Sequence, residues 1–369
     1  MPDKKNILFI LHLPPPVHGS SIVGQYIKNS TLINDTFECR YINLLVSRSV
    51  TETGKTSVLK VFRFVGVWFR LFSEILKKRP DLCYLALSTT GGSFYKDVLL
   101  IALLRLFHVK RIYHIHNKGV RQKQSNRINK FLYKFVFSGA VVILLSKYLH
   151  KDIETFVPDS NVFICPNGIE NTNVETKLVI HPVGATVKIL FLSNLIESKG
   201  VFVLLDACSI LHNKGIYFEC DFVGAEGDLN TAQFNERVIQ NQLAGHVNYL
   251  GKKFGSEKQE IFAKADIFAF PTYYSKECFP LVLLEAMSEG LPLVSTFEGG
   301  IPDIVEEGVN GFLVPQQDAK MLAMRLETLI NNPELRLKMG NAGRIKFERQ
   351  FKLDIFEKRI VEILVKGNN

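Results

Sequence analysis

Glu277 and Glu285 bracket the run Glu277-Cys278-Phe279-Pro280-Leu281-Val282-Leu283-Leu284-Glu285. Two carboxylates at this spacing are uninformative alone, since Glu298 and Glu306 repeat it. Their context is more telling. A short apolar stretch, residues 267–270, is closed by Pro271, and the apolar run after Pro280 is stopped by Gly290 and Pro292. This predicts a strand, a polar loop and a helix whose first turn holds Pro280, a position that needs no N–H. Glu277 then stands at the mouth of that helix and Glu285 about two turns further along. Both carboxylates can face a ligand held at the helix N-terminus, an end that attracts phosphate.

Other chemistry-bearing residues follow predicted strand ends. Asn194 and Lys199 lie in Ser193-Asn194-Leu195-Ile196-Glu197-Ser198-Lys199-Gly200, ahead of a helical pattern from Val201 to Leu211. A lysine at that helix start adds a cation to exposed amides, the combination a diphosphate requires; a solvated surface lysine is the plain alternative. Gly224 ends a further strand. The first strand runs through three prolines into His18-Gly19-Ser20-Ser21, where Gly19 lets backbone N–H groups approach a phosphate or sugar. His114 and His116 end the fourth strand and are expected on opposite faces, one structural, with His116 and Asn117 at the ligand end. The dinucleotide fingerprint Gly-x-Gly-x-x-Gly is absent, which argues against an oxidoreductase. With no carboxylate cluster and no Asp-x-Asp pair, no metal is expected.

These residues need a scaffold, and the chain has the length for one: 369 residues suggest two domains, and 47% hydrophobic residues suffice for their cores. Strands are predicted at 7–11, 40–44, 82–87, 111–115, 140–145 and 162–165, and again at 188–193, 217–223, 247–250, 267–270, 293–295 and 311–314. Alternation with helical patterns makes this an α/β protein with two Rossmann-like, doubly wound parallel sheets. The expected division is 1–170, a turn-rich linker at 171–186, a second domain at 187–345, and a C-terminal helix at 346–369 that packs back on the first domain. Open α/β sheets bind ligands beyond the carboxyl ends of their strands, so the ligand is expected in a cleft between the two. Six scattered cysteines read as buried thiols of a reducing cytoplasm. The opening apolar run, residues 7–11, reads as a strand and not a leader, and the longest, 98–104, falls far short of the ~20 residues of a membrane span.

Charge is uneven. Residues 1–170 carry 24 Lys and Arg against 11 Asp and Glu, a net of +13, whereas 171–369 carry a net of −4. Such a half suits an anionic partner, with a membrane surface favoured over nucleic acid and a merely solvated face as the bland reading. Lys60, Arg63, Arg70, Glu74, Lys77 and Lys78 share one helical face beside a broad apolar remainder that includes the single tryptophan, Trp68. A second basic stretch runs from Lys118 to Lys134.

Ala265-Asp266-Ile267-Phe268-Ala269-Phe270-Pro271, the Glu-x7-Glu block, Glu285-Ala286-Met287-x-x-Gly290-x-Pro292, Gly299-Gly300-Ile301-Pro302-Asp303 and Asn310-Gly311-Phe312-Leu313-Val314 follow one another in the second half, and Pro166-Asn167-Gly168-Ile169 closes the first. In these motifs and their order the chain resembles the family 4 retaining glycosyltransferases (GT4), which have the GT-B fold. The resemblance implies a UDP- or GDP-sugar donor, with Glu285 on the ribose, Glu277 on hydroxyls of the transferred sugar, Lys199 on the diphosphate, Gly19 approaching it from the first domain and His116 touching the sugar. It further implies retention by front-face attack, in which a leaving-phosphate oxygen takes the acceptor proton and the protein stabilises the departing charge. No cofactor or metal is implied. The acceptor would be a glycan or lipid-linked sugar in cell-surface polysaccharide or glycolipid assembly, on a cytoplasmic protein held at the inner membrane face, with no nucleic-acid partner.

Three departures stand out. Ser193-Asn194-Leu195 replaces the family's frequent Gly-Arg-Leu, so Asn194 offers a neutral amide where a guanidinium is usual. His18 stands where a second glycine is frequent, to contact phosphate or narrow access. Cys278 and Pro280 replace glycines, leaving the amides of Cys278, Phe279 and Leu281 to meet the sugar. Two other classes remain open: a sugar-nucleotide epimerase on the same architecture, and a non-catalytic sugar-nucleotide-binding subunit, for which Asn194 is the best argument.

Overall fold

The computed structural model describes residues 4–15, 17–44, 58–171 and 186–367. The chain separates into two compact units, residues 1–168 with 353–369, and residues 169–352. Most of the expected linker, 172–185, lies outside the described residues.

The first unit is built on β1 (Asn6–Leu11), β2 (Glu38–Asn43), β3 (Leu82–Leu87), β4 (Lys110–Ile115), β5 (Val141–Leu144) and β6 (Val162–Ile164), parallel and in the order β2-β1-β3-β4-β5-β6. β1 and β3 are buried along their whole length, because helices cover both faces of the sheet; that is why they read as unbroken apolar runs without alternation. α1 (Gly19–Asn29) and α2 (Thr31–Thr36) follow β1, α3 (Val58–Lys77) precedes β3, α4 (Gly91–Leu106) joins β3 to β4, and α5 (Val120–Lys123) and α6 (Arg127–Phe137) lead into β5. Right-handed crossovers place α1 and α2 on one face of the sheet and α3, α4 and α6 on the other.

The second unit repeats the plan with β7 (Val187–Leu192), β8 (Phe218–Val223), β9 (Val247–Tyr249), β10 (Ile267–Phe270), β11 (Leu293–Thr296) and β12 (Gly311–Val314), in the order β12-β11-β10-β7-β8-β9. α7 (Val201–Asn213), α8 (Thr231–Gln240), α9 (Gly255–Lys264), α10 (Leu281–Ser288), α11 (Ile301–Ile304), α12 (Ala319–Ile330) and α13 (Pro333–Gln350) complete it. The chain direction across each sheet reverses once, at β1/β3 and at β7/β10, and the crevices beyond those strand ends are where open α/β sheets take ligands.

After Phe351 the chain returns to the first unit. α14 (Leu353–Lys366) places Phe356, Ile360, Ile363 and Leu364 in one core with residues of β1 and α1. The return begins at Leu353 and not at 346, because α13 continues to Gln350 as part of the second unit. No disulfide joins any of the six cysteines, five of which are buried. Among the described residues no helix is long and apolar enough to cross a membrane.

Candidate functional site

In the second unit the β7/β10 crevice gathers Lys199 and Glu277. The chain leaves β7 through a single 3-10 turn, Glu197–Lys199, and enters α7 through Gly200. Gly200 has φ +93°, and a Cβ there would lie 2.3 Å from the carbonyl oxygen of Pro271, so only glycine lets this turn sit against the loop after β10. The Ser198 carbonyl accepts from the Tyr273 amide at 2.8 Å and fastens the two loops. Lys199 is thereby held beside Glu277, the two forming an ion pair whose side chains are only 15% and 10% exposed. Its ammonium also stands 4.5 Å from the centre of the Tyr274 ring, a cation–π contact. Lys199 thus precedes the helix cap and does not sit in the helix.

Glu277 is braced from behind by Gly299, whose missing side chain admits the Glu277 carbonyl: a Cβ there would come within 2.3 Å of it, and φ is +55°. The Gly300 amide donates to the Cys278 carbonyl at 2.6 Å. Phe279 is buried with its ring against Phe351, so it contributes packing, and only backbone from this stretch can reach a ligand. Pro280 is the cap of α10 and not part of its first turn; Leu281 opens the helix, half-exposed, and its N–H belongs to the set without an intrahelical carbonyl. Glu285, one turn in, is gripped by Lys258 of α9, whose Nζ lies 2.7 Å from each carboxylate oxygen. Asn194 accepts the Ala225 amide at 3.3 Å through Oδ1 and so ties the ends of β7 and β8, where Gly224 packs against the Ser193 carbonyl. Its NH2 is the end that remains for a ligand.

In the first unit, imidazoles cluster at the carboxyl ends of β1 and β4. His18 caps α1: its Nδ1 accepts the Ser21 amide at 3.3 Å while Ser21 Oγ accepts the His18 amide at 2.9 Å. The capping bond makes Nδ1 an acceptor and so leaves Nε2–H as the donor. Space around Gly19 is open, with nothing within 4 Å of a Cβ built on it. His114 and His116 do not diverge. Residues two apart share a face of a strand, and the two rings are 4.1 Å apart. His114 is the structural one, fully buried and hydrogen-bonded through Nδ1 to Tyr84 Oη. His12, directly after β1, completes the cluster, 6.0 Å from the His18 ring, with its Nδ1 buried and unpartnered. Burial, with His12 and His18 nearby, lowers the His116 imidazole to about 3; burial and His18 lower His12 to about 4. His18 is also lowered by burial. At neutral pH these rings are uncharged hydrogen-bonding groups. Asn117 is engaged elsewhere: its Oδ1 accepts the Thr89 amide at 3.1 Å and holds the loop before α4.

Sequence reasoning missed His12 and Lys258. His12 follows the first strand and could have been noticed by that position; Lys258 sits in a polar helix, and nothing local marks it. Among the described residues no group of three or more His, Cys, Asp or Glu is arranged to hold a metal ion.

Residues 180–346 match the family model for glycosyl transferases group 1. The chain carries a group 1 glycosyl transferase domain. Lys199, Glu277, Lys258 and Glu285 all lie inside that domain, whereas the histidine cluster precedes it. The chain is 30% identical over 269 residues to the amylovoran biosynthesis glycosyltransferase AmsK of Erwinia amylovora, covering 71% of this chain and 65% of that protein. It is 30% identical over 216 residues to the putative colanic acid biosynthesis glycosyltransferase WcaL of Escherichia coli K12, covering 56% and 52%. The matched stretches are therefore less than two thirds of either relative's length. In fold, the chain is similar to Anabaena Alr3699/HepE, crystallised with UDP, at a TM-score of 0.77 and 18% identity over 98% of this chain and 100% of that one. The group 1 domain and the unit before it thus have the GT-B architecture.

Proposed function

We propose that this protein is a retaining glycosyltransferase that moves a hexose or N-acetylhexosamine from a UDP- or GDP-sugar to a glycan or lipid-linked acceptor, in cell-surface polysaccharide or glycolipid assembly. The observation that carries the reading is the Lys199–Glu277 pair in the β7/β10 crevice, with Glu285 one turn into the adjoining helix. An ammonium and helix-terminal amides suit a departing diphosphate, and the two carboxylates suit sugar hydroxyls. Lys199 is assigned to the diphosphate in place of the usual guanidinium, which leaves Glu277 for the transferred sugar and Glu285 for the ribose. His18 Nε2–H and neutral His116, at the strand ends of the first unit, are assigned to sugar or phosphate oxygens. With Lys199 and amides in this role, and no Asp-x-Asp pair in the sequence, the reaction is assigned without a metal ion.

The relatives support the setting: AmsK is named for amylovoran biosynthesis, WcaL carries the name of a putative colanic acid biosynthesis glycosyltransferase, and Alr3699/HepE has also been crystallised with UDP-glucose. We place the protein on the cytoplasmic side, peripheral to the inner membrane face, on the strength of the basic first 170 residues.

A panel of nucleotide sugars, offered with and without oligosaccharide acceptors, tests the reading. Transfer releases nucleoside diphosphate, and the anomeric signal of the product reports retention. Change of the sugar without release of nucleotide would instead identify an epimerase, and tight binding with neither outcome a non-catalytic subunit.

A further inference from the structure

The crossover helices α3, α4 and α6 form one layer on the first sheet, and their outward face is apolar where a soluble helix would be polar. Phe62 and Phe69 of α3, Leu99 and Leu106 of α4, and Ile128 and Phe131 of α6 are each 53–71% exposed. Within α3 and within α4 these side chains are seven residues apart, two turns of one helical stripe, so they are not scattered surface residues. The three helices adjoin one another. Phe72 of α3 meets Phe107 at the end of α4, with ring centroids 6.0 Å apart, and Tyr95 Oη of α4 donates to Asn129 Oδ1 of α6 at 2.8 Å. The exposed apolar side chains of the three helices therefore share one side of the sheet.

The charge around it has one sign. α6 carries Arg127, Lys130 and Lys134 and no acidic residue. The acid of α4, Asp97, is buried and accepts the Ser88 amide, and the acid of α3, Glu74, is paired with Arg40. An apolar face fringed by cations suits the boundary of an anionic bilayer, where aromatic and aliphatic side chains enter below phosphate head groups. It does not suit a second copy of the same face, because the two cationic fringes would repel.

We infer that the outer face of α3, α4 and α6 docks on an anionic phospholipid bilayer; this rests on the peripheral-membrane part of the proposed function and names the surface responsible. Helices that follow parallel strands begin at the strands' carboxyl ends, so Phe62, Ile128 and Phe131, all in opening turns, carry this face to the end of the sheet that holds His18 and His116, while Leu106 carries it to the other end. Docking lays the whole layer along the head groups and so keeps the histidine end beside them, where a lipid-linked acceptor presents its sugar.

The protein carries its own reporter. Trp68 is the single tryptophan, lies on α3 and packs on Phe69 and Phe72. Its emission is to be followed with phosphatidylcholine/phosphatidylglycerol vesicles, with and without brominated chains, alongside co-sedimentation and sedimentation velocity without lipid. Bromolipid should quench Trp68 when phosphatidylglycerol is present. The triple change Phe69→Ser, Leu99→Ser and Phe131→Ser, at exposed sites that leave the thermal midpoint in place, should lower partitioning more than tenfold. Arg127→Gln and Lys130→Gln should each lower it about fivefold. Vesicle binding without quenching, or binding that survives the triple change, would overturn the assignment of this face while leaving membrane association standing. Failure to bind anionic vesicles at all overturns both. A lipid-independent dimer abolished by the triple change would show that a second copy covers the face, which also overturns the inference.

Discussion

The Lys258 ammonium lies 2.7 Å from both carboxylate oxygens of Glu285. A carboxylate has roughly four acceptor directions, so the pair leaves room for a ribose diol on the far side. It also offsets a negative charge that would otherwise face a diphosphate. Lys258→Met should therefore weaken nucleoside diphosphate binding about tenfold, some 1.4 kcal/mol, and weaken the bare nucleoside less. Calorimetric titration with both ligands checks this. Tighter diphosphate binding by the variant would mean that Lys258 competes with the ligand for Glu285.

The two glutamates should fail differently. Glu285→Gln is expected to weaken the free nucleoside diphosphate, since an amide offers one acceptor oxygen where the carboxylate offers two. Glu277→Gln should leave that affinity intact or slightly raised, because Lys199 loses its partner inside the protein, and should depress transfer. Equal loss of nucleotide affinity in both variants would overturn the division of roles.

Lys199 and Glu277 are coupled in stability as well as in chemistry. Removing either partner strands a nearly buried charge, so Lys199→Met and Glu277→Gln should each cost about 2 kcal/mol or more of folding stability, and the double variant much less than their sum. Transfer should not return in the double variant, because the diphosphate has lost its cation, at a cost of about 2–4 kcal/mol in the barrier. Denaturant melts and kcat/KM on the four proteins of the cycle separate the two effects.

Gly299→Ala should act on Glu277 without touching a ligand. The new methyl needs space occupied by the Glu277 carbonyl and a backbone conformation that L side chains resist. We expect a lower thermal midpoint and at least a tenfold loss in kcat/KM. Nucleoside diphosphate affinity should change little, which distinguishes this from general loosening of the domain.

Acid should destabilise the first unit. An imidazole held neutral at pH values where the unfolded chain would protonate it opposes folding as pH falls, so the stability linked to His12 and His116 is present above about 6.5 and is lost as pH drops toward 4 and 3. His18 and His114 shift in the same direction. Buried Asp97, raised by burial to about 7, works against them below that pH. Each of His12 and His116 should contribute about 2 kcal/mol of loss by pH 5. Denaturant midpoints between pH 7.5 and 5 should fall, and His12→Asn should flatten the slope.

Much of this architecture is written locally. Interior strands of a parallel sheet are apolar on both faces, so β1, β3 and β10 announce themselves as short uninterrupted runs, and all the expected strands lie within two residues of their observed ends. Lys199 and Glu277 could be picked out by residue type and by their places after strands. Their pairing could not, since it depends on β7 and β10 being neighbours across 78 residues of chain. The same holds for Lys258 with Glu285 and for the meeting of His12, His18 and His116. Asn117 shows the converse: its place after β4 suggested a ligand, and only the fold reveals Thr89 as its partner. The turn into α14 lacked glycine and proline, so the helical pattern after Pro333 concealed where one unit ends.

That turn sets the order in which the two units can complete their folding. The core around β1 and α1 needs Phe356, Ile360, Ile363 and Leu364, which leave the ribosome only after the whole of residues 169–352. At roughly 5–20 residues per second, the nascent first sheet waits on the order of ten to forty seconds for its last helix, with apolar surface open to chaperones in the meantime. The second unit is continuous in sequence and needs nothing beyond Lys352, whereas the first needs the helix that follows it, so the amino-terminal half of this polypeptide is the last to become complete.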